Sequence, residues 1–190
     1  MNVQWLTQRI GYDGTQLRPH WILEKTGLVG DSMVAFRGAC ALPFAEVADL
    51  EDRLAGATIA ADDMLHFVWE RFDDGDLDRA TLRQRLLAAR TLAVLVGLAP
   101  AHAPRLRRVG DDLFLAGGKL SISVATRSVV STLIHLGLNV RNAGTPVRTA
   151  SLTDLELTPG RVARAVLRAT ADEEASVGRA RCKVRVRLAP

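Results

Sequence analysis

The order of predicted elements along the chain indicates an α+β fold, with a mixed or antiparallel sheet and helices packed on one of its faces. Short segments with turn signals predict strands near the N-terminus and again over 113–140, and two stretches with helical apolar spacing lie between them. A further helix and a basic strand follow. Strands and helices that are grouped, rather than strictly alternating, are typical of this class.

The N-terminal part is predicted to consist of short strands and turns. Ser32–Phe36, with Val34 and Phe36 on one face, is the clearest strand within residues 1–45. Glycine, proline and aspartate mark the turns that separate these strands. The turns are placed at Gly11–Gly14, Arg18-Pro19 and Gly30-Asp31.

Two helices are predicted next. Asp62–Phe72 has its apolar residues at helical spacing, and the following helix is capped by Asp78 or Thr81 and ends near Gly97 and Pro100. The first apolar stripe consists of Leu65, Val68, Trp69 and Phe72, and the second of Leu82, Leu86, Ala89, Ala93 and Val96.

The second half contains a predicted hairpin and a third strand. LFLAGGKLSISVAT joins two apolar segments across Gly117-Gly118, and SVVSTLIHLGLNV follows. Leu152–Leu157 is predicted to be a short strand or turn. A helix then runs from Thr158-Pro159 to about Ala169, before a surface loop, ADEEASVG, and the basic strand.

Composition predicts one soluble domain spanning residues 1–190, with 171–190 as a basic C-terminal strand or tail. The 190 residues are 48% hydrophobic and 24% charged, and no apolar run reaches the roughly 20 residues of a membrane span. No secretory signal pattern is present, so we expect a cytoplasmic protein without membrane association. The two cysteines, Cys40 and Cys182, lie far apart, which argues against a structural zinc site.

The net charge of +4 is weak evidence for nucleic-acid binding, because the chain has 22 arginines and only 3 lysines, a pattern typical of GC-rich coding. The clearest basic element is the tail RARCKVRVRL. There Lys183, Arg185 and Arg187 alternate with apolar residues, as in a half-buried strand. Such a basic face is either a solvated edge strand that resists aggregation or a phosphate-binding surface, and the first is favoured.

Strand parity predicts a pocket beside two neighbouring strands. In the first, Leu120, Ile122 and Val124 share one face, which leaves Lys119, Ser121 and Ser123 on the other. In the second, the apolar face opposes His135, Gly137 and Asn139. Small and polar residues leave space above a sheet that a ligand can occupy. The alternative is a polar face covered by a loop, with Lys119 at the surface, and the pattern leaves both open.

The segment GGKLSISVATRSVVSTLIHLGLNV resembles the lysine-containing region of biotin and lipoate protein ligases and of lipoyl(octanoyl) transferases. The resemblance implies that Lys119 contacts an acyl or adenylate carbonyl, and that His135 and Asn139 belong to the adjoining strand. VAFRGACAL is similar in placement to an early substrate loop of the transferases, with Arg37 and Cys40 at its centre.

The chain departs from these families in three ways. It lacks the Arg-Arg and triple-Gly loop of lipoate ligases and the Gly-Arg-Gly-Arg loop of biotin ligases, so the use of ATP and of any other cofactor stays unknown. The transferases carry a cysteine nucleophile about 30 residues after the lysine, whereas NAGTPVRTASLTDL contains none, which excludes that acyl-enzyme route. They also place glycine directly after the histidine, where this chain has Leu136.

A second resemblance covers nearly the whole chain. YDGTQLRPHW, GDSMVAFRGAC, DDMLHFVWERF and KLSISVAT, in this order, are similar to an uncharacterised, mainly archaeal family known as a domain of unknown function. That family implies the fold of class II aminoacyl-tRNA synthetases and of biotin or lipoate ligases. It also raises the interest of Asp13, Arg18 and His20 as ligand-binding residues, although Asp13 in a tight turn commonly bonds its own backbone.

Two further candidates have two interpretations each, and a third has one. Asp63, His66, Glu70 and Asp73 fall on one flank of the predicted helix and either form a solvated face or bring His66 to the pocket, with no metal site expected. Cys40 is either a nucleophile or a small buried side chain, and without a base the second is favoured. Arg37 could pair a carboxylate or phosphate through both of its terminal nitrogens.

Two functional hypotheses follow from these residues. In the first, the protein binds a small acid, acyl group or nucleotide-like molecule, with Lys119 facing a carbonyl or carboxylate oxygen and Arg37 a second anionic group. Orientation would come from Ser121, Ser123, His135 and Asn139. In the second, a non-catalytic module contacts RNA through Arg105, Arg107, Arg108 and the tail arginines, or binds a protein partner. A homodimer is compatible with both.

Overall fold

The computed structural model describes residues 1–73, 75–143 and 148–185. Its central sheet has five strands in the order β1-β2-β3-β8-β7, in which β1 runs parallel to β2 and the other neighbours are antiparallel. These strands are β1 Asn2–Arg9, β2 Ser32–Leu42, β3 Ile59–Arg71, β7 Ser121–Arg127 and β8 Thr132–Asn139. A smaller sheet contains β4 Leu106–Val109, β5 Asp112–Leu115 and β6 Gly118–Lys119.

Four α-helices accompany the sheets within the described part of the chain. They are α1 Trp21–Thr26, α2 Leu50–Leu54, α3 Leu77–Leu98 and α4 Pro159–Cys182. Short 3-10 helices occupy Phe44–Glu46, Pro100–Arg105 and Thr153–Leu155, the last within the segment predicted to be a strand or turn. In the described ranges, none of these helices is both long enough and apolar enough to cross a lipid bilayer.

The two long helices pack on the same face of the central sheet and form the larger hydrophobic core. Ile134, Leu136 and Leu138 of β8 point to this side, as the sequence alternation predicts. The opposite face carries a second apolar cluster around Phe36 and Met64. The mixed sheet with helices on one face confirms the predicted α+β class.

The predicted helix over Asp62–Phe72 is wrong, because these residues belong to β3. This strand is the middle one of five, and its residues from Met64 to Glu70 are all buried. A strand covered on both faces has a continuous apolar run instead of alternation. Leu65, Val68 and Trp69 therefore occur at helical spacing by coincidence.

The helix α3 exists as predicted, but its buried face differs. Asp76 caps its N-terminus by accepting a bond from the Arg79 amide, and Leu82, expected in the core, is 69% exposed. Its buried positions are Ala80, Gln84, Leu87, Ala88, Thr91 and Leu95. Short alanine side chains allow close packing on the sheet, so the largest apolar residues do not mark the core face.

The C-terminal prediction is also corrected. ADEEASVG is not a loop, since α4 continues through it to Cys182, and Arg179–Cys182 are helical where a basic strand is predicted. Glu173 and Glu174 hold this extension by pairing with Arg90 and Arg71 of neighbouring elements. The last part of the predicted strand, 186–190, lies outside the described residues.

The two glycines before Lys119 are each favoured for a different structural reason. Ala116 and Gly117, with φ of 50° and 81°, form the two-residue turn between β5 and β6, a conformation that favours glycine. Gly118 lies against the backbone, because a Cβ there would be 2.9 Å from the carbonyl carbon of Thr149. The predicted hairpin is confirmed, but its two turn residues are Ala116 and Gly117 instead of the glycine pair.

Candidate functional site

A cavity of about 610 Å³ lies on the sheet face opposite α3 and α4. Its floor comes from β3, β7 and β8, and the segment 42–61 together with the turn after β1 forms its walls. Apolar lining residues include Leu17, Leu42, Ile59, Met64 and Ile122. The cavity therefore combines a sheet floor with loops from the N-terminal part of the chain.

Two buried histidines form a hydrogen-bonded pair at this floor. His66 Nδ1 lies 3.1 Å from His135 Nε2, and His66 Nε2 lies 3.3 Å from the carbonyl oxygen of Gly38. A carbonyl only accepts, so His66 is protonated on Nε2 and accepts on Nδ1 from His135. In the neutral ring of His135, Nδ1 is then the nitrogen left to accept a hydrogen from a ligand, and this ring lines the cavity.

Burial keeps both imidazoles neutral. Desolvation lowers the pKa of His66 to about 4, and it lowers the pKa of His135 well below its usual value, with the neighbouring His66 adding to the effect. Tyr12 stacks on His135 with ring centroids 3.8 Å apart and an angle of 6° between planes. The stack fixes the orientation of His135, and burial raises the pKa of the Tyr12 phenol, which stays protonated.

Gly38 makes this arrangement possible. A Cβ at this position would lie 1.8 Å from the carbonyl oxygen of Ile10, because the chain after β1 passes directly over β2. That passage is held by backbone bonds from Ile10 to Arg37 and from Tyr12 to Ala39, of 3.0 and 2.8 Å. Only glycine allows the close approach that places Tyr12 over the histidines.

Lys119 reaches the cavity wall, where it meets a carboxylate. Its Nζ lies 2.8 Å from Asp112 Oδ2, and both side chains are partly exposed. Burial is the largest cause of a raised pKa at Asp112, and Asp111 and Asp52 add to it, although the adjacent ammonium lowers the pKa. Lys119 thus offers fixed N–H donors at the wall, with its charge largely balanced.

The side-chain N–H donors of Asn139 fix the position of Lys119 and are not directed at a ligand. Its Nδ2 donates to the carbonyl oxygens of Lys119 and Ala150, each at 3.1 Å. Its backbone amide also donates to Leu120. The predicted site residue is therefore at the cavity and tied to Lys119 through the backbone.

The parity predicted for the lysine strand is wrong beyond Leu120. Leu120 packs in the helix-side core, but Ile122 joins the opposite cluster and Ala125 the helix side. The ladder is interrupted at Leu120, between β6 and β7, so the alternation changes phase there. Ser121 and Ser123 border the cavity, but their hydroxyls bond to the Leu113 amide and to Gln84.

The space above Gly137 is filled by protein. A Cβ there would lie 2.8 Å from Met64 Cε and 3.2 Å from Ile122 Cγ1. His135 Cε1 would be 3.3 Å away. Gly137 therefore admits side chains from both neighbouring strands, and the ligand space predicted above it lies further along the floor.

Cys40 lines the cavity as a buried, protonated thiol. It is 2% exposed, and desolvation raises its pKa to about 11. A thiol in this state is a weak nucleophile. The structure places it among Tyr12, Ala61 and Met64 in the apolar cluster.

The predicted ligand-binding residues of the early turn do not line the cavity, although Tyr12 and Gly14, on either side of Asp13, do. Asp13 accepts from the amide and hydroxyl of Thr15, as its tight turn predicts, and Arg18 pairs with Glu24. His20 has φ of 66°, and its amide donates to Glu70 Oε1 at 2.9 Å.

The four polar residues expected on one helix flank are separated by the strand geometry. Asp63 points to the helix side and pairs with Arg9 and Arg37, while His66 faces His135. Glu70 accepts from Ser131, and Asp73 pairs with Arg83. Arg37 thus lies across the sheet from the cavity, and of the four only His66 belongs to the site.

Sequence reasoning missed three contributors to the cavity. Tyr12 gave no signal beyond its turn. Asp112 could have been found on the facing hairpin strand, two residues before Phe114, which pairs with Lys119. The wall segment 42–61 has no motif, and it contributes mainly Ala, Val and acidic residues. Its role depends on how it folds back over the sheet.

The fold has counterparts among solved ligase structures. Biotin protein ligase from Aquifex aeolicus, in complex with biotin and ATP, matches with a TM-score of 0.59 and 15% identity, over 90% of this chain and 69% of that chain. The T. acidophilum protein Ta0514 with bound lipoic acid matches with a TM-score of 0.59 and 16% identity, over 90% and 86%. The class is therefore the biotin and lipoate ligase fold, which is class II synthetase-like.

Within this fold the chain belongs to DUF366, a domain of unknown function, whose family model matches residues 1–185. A protein of unknown function from Pyrococcus horikoshi matches with a TM-score of 0.93 and 36% identity, over 98% of this chain and 99% of that chain. The uncharacterized protein MJ0805 of Methanocaldococcus jannaschii is 34% identical over 160 residues, 82% of this chain and 71% of the relative.

Proposed function

We propose that the cavity binds a small molecule with an apolar body and a single carboxyl or carbonyl head group, in acyl transfer or ligation. The observation that carries this proposal is the presence of Lys119 and His135 on one cavity beside the apolar side chains of Met64, Ile122 and Val124. Apolar cavities with a few fixed polar groups are typical of small-molecule sites. Solved neighbours of the same fold bind biotin and lipoic acid, both apolar-bodied acids, which supports this ligand class.

Lys119 is proposed to donate to the oxygen of the head group. A pre-oriented ammonium stabilises charge that develops on a carbonyl oxygen during attack. The side-chain amide of Asn139 holds the backbone of Lys119 in place, and Asp112 pairs with the ammonium until the ligand competes for it. In this proposal Lys119 is the catalytic residue, and Asn139 is a positioning residue.

His135 is proposed to orient the ligand by accepting a hydrogen bond on Nδ1. Its lowered pKa makes it a weak base at neutral pH, so it acts as an acceptor for an N–H or O–H of the ligand. His66 and Tyr12 keep its ring in one tautomer and one plane.

The charges around the cavity support an acyl ligand over a polyphosphate. Among the described residues, five carboxylates line the cavity, those of Glu46, Asp49, Asp52, Asp111 and Asp112. Two cations, Lys119 and Arg53, also line it. A triphosphate at this wall would face unfavourable charge. The first hypothesis named three ligand classes, which are small acids, acyl groups and nucleotide-like molecules. The last of these is thus the least supported.

The test is a thermal-shift and calorimetric screen with biotin, lipoic acid and octanoic acid, each with and without ATP. At least one acid should raise the melting temperature of the wild-type protein. The K119A variant should lose at least tenfold in affinity, and K25A, which removes an exposed lysine of α1, should bind as the wild type does.

Equal binding by K119A and the wild type would place the acid elsewhere and refute the assignment. Failure of all three acids to bind, with or without ATP, would refute the ligand class. The H135F variant adds a second check, since it should bind more weakly while the ring keeps its stacking on Tyr12.

A further inference from the structure

A second concave surface lies on the helix-bearing side of the sheet, beside the edge strand β1. We call it the arginine groove, and its volume is about 880 Å³. None of its described lining residues lines the cavity. It is formed by Trp5, Thr7, Arg9, Arg37, Thr158, Pro159, Gly160, Arg161, Arg164, Ala165 and Arg168.

The groove is strongly cationic. Five of its lining residues are arginines, and Asp63, which pairs with Arg9 and Arg37, balances only one of those two charges. Arg164 donates to the backbone oxygen of Gly160, and no carboxylate among the described residues pairs with it. Arg168 meets Asp172 at 3.9 Å with both side chains more than three-quarters exposed, a contact that contributes little.

The arginines of α4 form a ladder. Arg161, Arg164 and Arg168 follow each other at spacings of three and four residues, so they share one face of the helix. They extend over about 10 Å along the helix axis, at 1.5 Å per residue. One phosphate group cannot contact all three, whereas consecutive phosphates of a chain can.

Trp5 lies in the same groove, next to the start of α4. It is partly buried, and its Nε1 is 3.7 Å from the position of a Cβ on Gly160. A cationic groove that follows a backbone, together with an aromatic side chain on which a base can stack, is the recurring design of single-strand binding sites.

We infer that the arginine groove binds the phosphate backbone of single-stranded nucleic acid. Arg161, Arg164 and Arg168 contact successive phosphates through their planar guanidinium groups. Trp5 stacks on one base. This site is separate from the acyl cavity and from Arg105, Arg107 and Arg108, which lie around β4 at the smaller sheet.

The experiment measures the affinity of the full chain for a labelled single-stranded 12-nucleotide RNA, and for the DNA of the same sequence, over a salt series. The groove variant combines R161Q, R164Q and R168Q, with glutamine chosen as a good helix former. The control variant combines R107Q, R108Q and R179Q, three exposed arginines elsewhere, and so has the same net charge.

The wild type should bind with an affinity that falls steeply with salt. Each phosphate contact to a single strand contributes about 0.7 to the slope of log affinity against log salt, so the groove variant should lose about 2 in slope. Affinity at low salt should fall at least tenfold in the groove variant and less than threefold in the control. Circular dichroism and melting temperature establish that both variants are folded.

Equal losses in the two variants would show attraction by net charge alone and would overturn the site. A larger loss in the control would overturn the site and move binding to the surface around β4 or to the C-terminal end of α4. Absence of binding by the wild type at low salt would also overturn it. K119A should bind RNA as the wild type does, so this result is independent of the acyl proposal.

Discussion

Along β8, neighbouring residues serve the two faces of the central sheet in different ways. Leu136 is 1% exposed on the helix side, and His135 is 2% exposed on the cavity side, so burial alone does not distinguish them. The helix side of this strand is apolar, with Ile134, Leu136 and Leu138 in one core. The cavity side buries an imidazole and an amide, which are tolerated only because each is hydrogen-bonded. We therefore expect stability to depend mainly on the first face, and the proposed acyl binding to depend on the second.

The largest expected effect is on the helix side. Leu136→Ala removes buried methyl groups from the core and leaves a cavity, which should lower the free energy of unfolding by about 2–5 kcal/mol. Denaturant unfolding measures it. The neighbouring H135F should lose less, about 1–3 kcal/mol, because it leaves only the Nδ1 of His66 without its donor. A larger loss in H135F than in Leu136→Ala would contradict the division between the two faces.

The second-largest loss of stability is expected from replacing Gly38, where two backbone segments approach closely. Gly38→Ala places a methyl group 1.8 Å from the Ile10 carbonyl oxygen, so the chain that passes over β2 must shift. This shift should lower the free energy of unfolding by about 1–3 kcal/mol. The shift also moves Tyr12 away from His135. Gly97→Ala in α3 is the matched control, since nothing lies within 4 Å of its Cβ, and it should stabilise by about 0.5–1 kcal/mol. Urea unfolding of both variants checks the opposite signs.

The difference between the faces also explains what the sequence revealed. In β8 one face is apolar and the other contains His135, Gly137 and Asn139, so alternation identified both sides correctly. β3 gave the opposite result, because Leu65 and His66 are equally buried on its two faces and no alternation remains. Its apolar residues then fit helical spacing equally well.

The candidate site was predictable only in part. Lys119, His135 and Asn139 do border one cavity, and the hairpin turn before Lys119 follows from its glycine. The phase change at Leu120 has no sequence signal, because it depends on pairing with two different sheets. The same holds for Tyr12, which reaches His135 only because the chain crosses over Gly38.

The buried histidines should make stability depend on pH in a defined window. Their pKa values are lowered in the folded state, to about 4 for His66, so between pH 6.5 and 4 the unfolded chain binds more protons. Stability therefore falls as pH decreases through this range, with a slope of at most about 1.4 kcal/mol per pH unit for each histidine. Denaturant unfolding at half-unit pH steps measures the slope.

The H66Q variant isolates this effect. It removes one titrating group, so its slope between pH 6.5 and 4 should be smaller than that of the wild type. Carboxylates with lowered pKa values, such as Asp63 and Asp73, lose most of their contribution near and below their unfolded value of about 3.8, and they are present in both proteins. Identical slopes in the two proteins would show that folding does not lower the pKa of His66.

The smallest effect on stability is expected at the cavity wall, where charge matters more for the ligand than for folding. Asp112→Asn removes the partner of Lys119, but this pair is partly exposed and burial already raises the pKa of Asp112, so unfolding should change by less than about 1 kcal/mol. Octanoic acid should bind more tightly to the variant, because Lys119 then meets the carboxylate of the ligand without competition. Calorimetry of the variant, the wild type and K119A checks the order of affinities. Weaker binding by Asp112→Asn would mean that Asp112 acts by holding Lys119 in place, and that its charge does not oppose the ligand.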